Sequence, residues 1–507
     1  MSQRDPEVIV IGSGPNGLVA ACVLAEHGYR VLLLEANPRR PGGALGSEAG
    51  TLPGFVHDVG AAFFPFGKLS PAFKHFDLAG HGLTWRHAEI ESCHPAPDGS
   101  VAAISRDAEQ TAQHFGSARD GEAWRKLATW HQGVEQHVLG FLLGPFPTLG
   151  PLFKLGLVNL AKLTRVLTSS GRGLSTRLFQ TEAARRVLPG LALHVDVGPD
   201  DVFGAALGYM LGLSATTGGY PVPQGGAQAL ADTLLRVFES YGGRLRLGAR
   251  VQEIIVRGGK AAAVKLADGQ EIHAVRMIMA NTGAPALYLD LLKGAHASGR
   301  VLKRMRAFPR GWGTFKADWA LSGAVPWRDE LARKSAVVHA GDSLDDLSRF
   351  TRVVRAGQIP DNPYLVIGQQ SLLDPSRAPP GKQTLWAYSR VPPQVEGGWA
   401  AASAGFMDSI EARIEAQAPG FRDLILARRG VTPSDLEAMD QNLVGGDLGG
   451  GSNAWHRQFI WRPVFPYFRY RTPVAGLYLC SSYAHPGAGV HGMCGYNAAH
   501  RALRDDA

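Results

Sequence analysis

Residues 8–17 read VIVIGSGPNG, an apolar strand running into glycines at Gly12, Gly14 and Gly17. An apolar helical pattern comes next, and then the run VLLLE closes on Glu35. GxGxxG spacing alone is a weak signal in a chain holding 63 glycines. Here strand, helix and closing acid stand in the order that a dinucleotide-binding βαβ unit requires. Gly12 permits the tight turn out of the strand, Gly14 lets backbone N–H groups approach a diphosphate, and Gly17 lets the helix pack closely on the sheet. The helix N-terminus, which opens at Pro15 with its first N–H at Asn16, brings unpaired donors and a partial positive charge to the same diphosphate. Glu35 is placed to accept hydrogen bonds from ribose hydroxyls, and its charge disfavours a 2′-phosphate. The competing reading is an ordinary βαβ unit with glycines at its turn.

The residues just after Glu35 separate FAD from NAD. Residues 39–43 read RRPGG, supplying cationic side chains and exposed backbone N–H groups near the diphosphate. An NAD-binding unit has no need of that second glycine pair. The other end of the chain carries a matching signature, LYLCSS (477–482) followed by HPGAGVHG (485–492) and a helical stretch from Met493 to Leu503. That second helix N-terminus is suited to the edge of a flavin where negative charge accumulates on reduction.

These pieces, with PGFVHDVG (53–60), YPVPQGG (220–226), YRTP (470–473) and GYNAA (495–499), resemble the phytoene desaturase-like flavoproteins from end to end. The resemblance implies an α/β fold: a Rossmann-like FAD-binding domain interleaved with an α+β substrate domain, in the glutathione-reductase-like or amine-oxidase-like flavoprotein architecture. It implies FAD contacts at Gly12, Gly14, Pro15, Asn16, Gly17, Glu35, Ala36, Arg40, Gly42, Gly43, Val251, Ser482, Gly489, Val490, His491 and Gly492, with adenine paired near the Val251 backbone. Ser481, Tyr483 and Ala484 stand where relatives often carry Gly, Gly and Thr, so Tyr483 is expected to narrow the space around the cofactor or to redirect the substrate.

At 507 residues the chain exceeds what one core usually supports, and 45% apolar content is ordinary for a globular protein. The expected division is FAD-binding segments 1–85, 215–286 and 441–507, with substrate-domain segments 86–214 and 287–440 between them. Strands are expected at 244–247, 251–257, 261–266, 275–280, 313–321, 364–370 and 384–391, and helices at 229–241 and 406–417. The four cysteines form no CxxC pair and no metal-ligand spacing, which excludes a redox-disulfide mechanism and points to a reducing cytoplasm. The net charge of +8 comes from scattered arginines, without a nucleic-acid motif, and leaves a weak attraction to anionic lipid.

Residues 138–153 (VLGFLLGPFPTLGPLF) are uncharged, yet broken by prolines and glycines that no membrane-spanning helix tolerates. They read either as buried, irregular core or, with the basic-apolar stretch after them that carries Lys154, Lys162 and Arg165, as a greasy mouth for a lipophilic substrate at the inner face of a membrane, in which Phe141 and Leu142 would be exposed. His485 and His491 flank the expected flavin edge and are the acid/base candidates, against a purely structural role for each. Of His57 and Asp58, neighbours on a strand, at most one faces the flavin. The overall reading is an FAD-dependent oxidoreductase that dehydrogenates, saturates or isomerises a C–C bond of a lipophilic, carotenoid-like or isoprenoid molecule. Two alternatives stay open: an oxidase of a small amine or alcohol, and a non-catalytic FAD-binding chaperone or interaction protein.

Overall fold

The computed structural model describes residues 5–507. β1 (Val8–Ile11), α1 (Pro15–Glu26) and β2 (Val31–Leu34) form the opening parallel unit. β3 (Ile90–Pro95) and β4 (Val101–Ile104) leave for a second sheet, followed by helices α2 (Ala118–Leu142), α3 (Gly150–Thr168) and α4 (Gly204–Thr217). The chain returns through α5 (Ala227–Ser240) and β5 (Arg244–Arg246). A ribbon of β6 (Val251–Arg257), β7 (Lys260–Leu266) and β8 (Glu271–His273) precedes β9 (Met277–Ala280). β10 (Gly313–Leu321), β11 (Ser335–Ala340), β12 (Leu365–Gly368), β13 (Gln383–Val391), α6 (Trp399–Gln417) and β14 (Ile425–Val431) extend the second sheet. β15 (Leu477–Leu479) and α7 (Met493–Asp506) close the chain beside its start.

The first sheet runs β15-β9-β1-β2-β5 and is parallel throughout. β1 and β9 are buried at every residue, which is why VIVI and MIMA carry no polar alternation. The second sheet runs β14-β10-β13-β12-β11-β3-β4, with only the β11–β3 pair parallel. Along β10, Phe315 and Trp319 pack into a core with Phe406 and Ile410 of α6. The alternate residues Thr314 and Lys316 point to the opposite face, where a cavity lies.

Two expectations are corrected. Residues 138–153 are not irregular core: α2 continues to Leu142 with Val138 buried, and after a short turn α3 begins at Gly150. The prolines fall in that turn and in the first turn of α3, where a missing N–H costs nothing. α6 begins at Trp399, ahead of the expected Phe406. Its first residues, WAAASAG, lack an apolar period, but alanine favours helix without one.

Candidate dinucleotide and substrate site

The two glycine signatures meet through backbone contact. A Cβ on Gly17 would lie 2.0 Å from the Gly12 carbonyl oxygen, and one on Gly495 would lie 1.8 Å from that of Asn16. α1 therefore lies against the turn after β1 on one side and against α7 on the other, and neither approach admits a side chain. Ser13 ties this turn to β2: its N–H and hydroxyl both donate to Glu35 Oε2, at 2.8 and 2.5 Å. Glu35 Oε1 accepts from the Asn37 N–H at 2.7 Å, so the carboxylate is held in place at the strand end. The Gly42 N–H donates to the Ser13 carbonyl and hydroxyl, folding the second glycine pair onto the first. The Ala249 N–H donates to the Glu35 carbonyl at 2.8 Å, which brings the start of β6 and Val251 close to the same acid. Ala36 is exposed beside it.

Arg40 is held within its own loop. Its Nη1 donates to the carbonyls of Gly43 and Leu45 at 3.1 and 2.9 Å and to Gln228 Oε1 at 3.3 Å. The guanidinium thus shapes its own loop rather than reaching toward Gly14.

At the C-terminal signature, the Ser481 hydroxyl donates to the Thr282 carbonyl at 2.6 Å, joining the ends of β15 and β9. Gly492 caps α7 in the left-handed conformation, and Gly489 and Val490 precede it along the cavity wall. His491 Nδ1 accepts from the Met493 N–H at 3.0 Å, so the ring carries its proton on Nε2, which has no partner. Both ring nitrogens of His485 are likewise buried without partners. Burial, with the charge of Arg462 adding to it, pushes the His485 pKa to about 3. Burial also pushes that of His491 to about 4. Both rings are therefore neutral at physiological pH.

Three sequence expectations shift here. Tyr483 does not narrow the cavity: its hydroxyl donates to the Asn442 carbonyl at 2.7 Å and accepts from Arg310, bracing a loop behind the wall. His57 turns to Thr51 and Asp318, and Asp58 forms a buried ion pair with Arg377 at 3.0 Å. Neither lines the cavity, so the pair is structural. Phe141 and Leu142 are half-buried rather than exposed.

A single cavity of about 420 Å³ runs from the glycine turn to the second sheet. Gly14, Pro15, Asn16, Asn281 and Ser482 line one end, at the carboxyl ends of the parallel strands where open α/β sheets bind ligands. Phe63, Phe64, Phe66, Leu143, Phe203 and Met210 make its flanks apolar. Lys316, Tyr388, Arg390 and His194 stand at the far end. Asn281 and Asp440 escape a reading of the sequence. Asn281 comes directly after β9 and donates from Nδ2 to the Gly12 carbonyl at 3.2 Å. A Cβ on Gly43 would lie 3.3 Å from Asp440, whose pKa is raised by burial and, further, by Glu35. The position of Asn281 at the end of an apolar strand is the signal that could have found it.

A family model described as an NAD(P)-binding Rossmann-like domain matches residues 10–77. The mouse protein called pyridine nucleotide-disulfide oxidoreductase domain-containing protein 2 is 28% identical, over 98% of this chain and 93% of its own. A hydroxyneurosporene desaturase of Cereibacter sphaeroides is 27% identical, over 100% of this chain and 99% of its own. The solved cyclohexylamine oxidase of Brevibacterium oxydans IH-35A shares the fold at a TM-score of 0.60 and 15% identity, covering 99% of both chains. Taken with the paired glycine signatures, these end-to-end relationships bear out the resemblance of the chain to the phytoene desaturase-like oxidoreductases.

Proposed function

We propose that the protein is an FAD-dependent oxidoreductase that dehydrogenates, saturates or isomerises a C–C bond of a lipophilic substrate. The observation that carries this reading is the continuity of one largely apolar cavity from the Gly14 turn to the second sheet. The residues present fit FAD. Gly14 leaves the helix N-terminus open to a diphosphate, the buried Glu35 carboxylate ends β2, and unpartnered His491 Nε2–H is a neutral donor at the second signature. When bound, FAD supplies a two-electron acceptor or donor at its ring, which is the demanding chemistry of such reactions. The chain's own residues position the partners and exclude water from between them. Neutral His485 and His491 are the groups available to hold a proton beside that end. An amine-oxidase reading is disfavoured by the far end of the cavity, where Arg390, whose side-chain partners are uncharged, repels a protonated amine.

Purified protein is expected to be yellow and to release FAD, not FMN, on acid treatment; colourless protein that takes up no FAD contradicts the reading. Glu35→Ala removes charge-assisted hydrogen bonds worth about 1.5–3 kcal/mol in total. FAD affinity should fall roughly tenfold to a hundredfold, with Glu35→Gln between the two, as read by titrating apoprotein. An unchanged affinity in Glu35→Ala would mean that the acid only anchors Ser13.

The proposal extends to where the substrate enters. None of the helices among the described residues is long and apolar enough to cross a membrane. On α3, however, which breaks at Gly156 (φ 72°, ψ 164°), Phe153 before the break and Leu157 and Val158 after it are 81%, 86% and 70% exposed, with Lys154, Lys162 and Arg165 nearby in the same segment. The turn before α3 carries Phe146, whose ring meets Phe459 at 5.0 Å and His485 at 5.8 Å over the cavity wall. This face suits a peripheral lipid contact, where each large apolar side chain gains about 1.5–3 kcal/mol on insertion. Anionic vesicles should float with the wild type, and Phe153→Ser with Leu157→Ser should release the protein without altering its flavin content or solubility. Wild type that stays unbound would retire the lipid contact and leave the flavoprotein reading standing.

A further inference from the structure

Arg390 on β13 is 4% exposed and forms part of the cavity wall. Its Nη1 donates to Thr314 Oγ1 at 2.6 Å, and its Nη2 donates to the His194 carbonyl. Both acceptors are uncharged, and Nε has no partner. The other cation at this end, Lys316, is paired with Asp318 on the same strand. His194 adds no charge, since burial and the nearby guanidinium push its pKa to about 3. Counted over these groups, the far end of the cavity carries one positive charge without a counter-ion. A buried cation is strongly disfavoured unless an opposite charge and hydrogen bonds meet it.

The surroundings narrow the kind of anion. One uncompensated charge matches a carboxylate better than a phosphate dianion. The flanks between this end and Gly14 are apolar, so the rest of the molecule must be hydrophobic.

We propose that Arg390 binds the carboxylate of a lipophilic acid whose apolar chain extends toward the Gly14 end of the cavity. The substrate is then an amphipathic acid rather than a hydrocarbon, and its anchored head group sets which C–C bond lies at the dinucleotide end. This rests on the reading of the cavity as a substrate site.

The test uses the protein as purified and measures quenching of its tryptophan fluorescence by farnesoic acid and by methyl farnesoate at neutral pH. Wild type should bind the acid at least about tenfold more tightly than the ester, a difference expected when one charged contact is lost. Arg390→Met should erase that preference by weakening binding of the acid, while Arg390→Lys should keep part of it. Equal affinities in wild type, no binding of either compound, or an undiminished preference in Arg390→Met each overturn the proposal. Flavin content of the same preparations separates the two ideas. Yellow protein without acid preference removes the anion site alone, whereas colourless protein that prefers the acid removes the FAD assignment alone.

Discussion

Gly14→Val should yield soluble, folded protein that retains less than about a tenth of the wild-type FAD. The backbone at Gly14 has φ −59° and ψ 169°, values open to any L-residue. Its Cβ would meet only the Asn281 side-chain amide, at 3.0 Å, and that amide can move aside. The valine methyl groups, however, would occupy the approach to the first N–H groups of α1, which a diphosphate must reach. The ratio of flavin to protein absorbance after desalting reads the effect directly. Added FAD should raise the melting temperature of wild type and leave that of the variant unmoved. Gly17→Val is the contrasting case. Its Cβ would sit 2.0 Å from the Gly12 carbonyl, so the turn itself must break and soluble protein should be lost. Normal FAD content in Gly14→Val would remove the diphosphate from this turn.

The second large effect is on stability. Arg377 is fully buried and pairs with Asp58 and Asp374, each at 3.0 Å. Asp374 also accepts from the Gly225 N–H at 2.7 Å, and Asp58 accepts from the Ala227 N–H at 2.8 Å, in the first turn of α5. One cation thus joins residues 57–58, the entry to α5 and the turn before β13. Arg377→Met would leave two carboxylates buried without their counter-ion, a loss of about 3–5 kcal/mol. Denaturant melts should show that shift, with Arg377→Lys intermediate because the charge remains while the two-pronged geometry is lost. A shift below about 1 kcal/mol would mean that solvent reaches the cluster, as for exposed pairs.

How much of the molecule is legible in its sequence depends on whether the signal is local. The opening βαβ unit is readable because its requirements are local: apolar strand, glycine turn and acid at fixed spacing. The ribbon β6–β8 is readable for the same reason, since Gly258-Gly259 and Asp268-Gly269 mark both turns. The adjacency of the two glycine signatures is expected from resemblance, but its cause lies in contacts across the whole chain, such as Gly495 against Asn16. The burial of Asp58 against Arg377 cannot be read from residues 57–58, because the partner lies far along the chain. The loop contacts of Arg40 give no sequence signal, because a guanidinium near glycines satisfies loop carbonyls as readily as a ligand. Sequence reasoning also starts the exposed face near α3 too early, at Phe141 and Leu142 rather than at Phe153, since uncharged stretches look alike whether they end a buried helix or begin an exposed one. Arg390 gives no signal at all: its meaning rests on the neutral partners that the second sheet brings to it.

The central claim, that this cavity joins a bound flavin to a lipophilic substrate, is tested most directly by anaerobic bleaching. The protein with its bound cofactor is mixed without oxygen with isoprenoid acids, retinoids, carotenoids, quinols and amines, and the flavin band is monitored. The account predicts loss of that band with at least one lipophilic compound, none with the amines, and its recovery on adding an electron acceptor. A flavin band that amines bleach while every lipophilic compound leaves it intact would contradict the account.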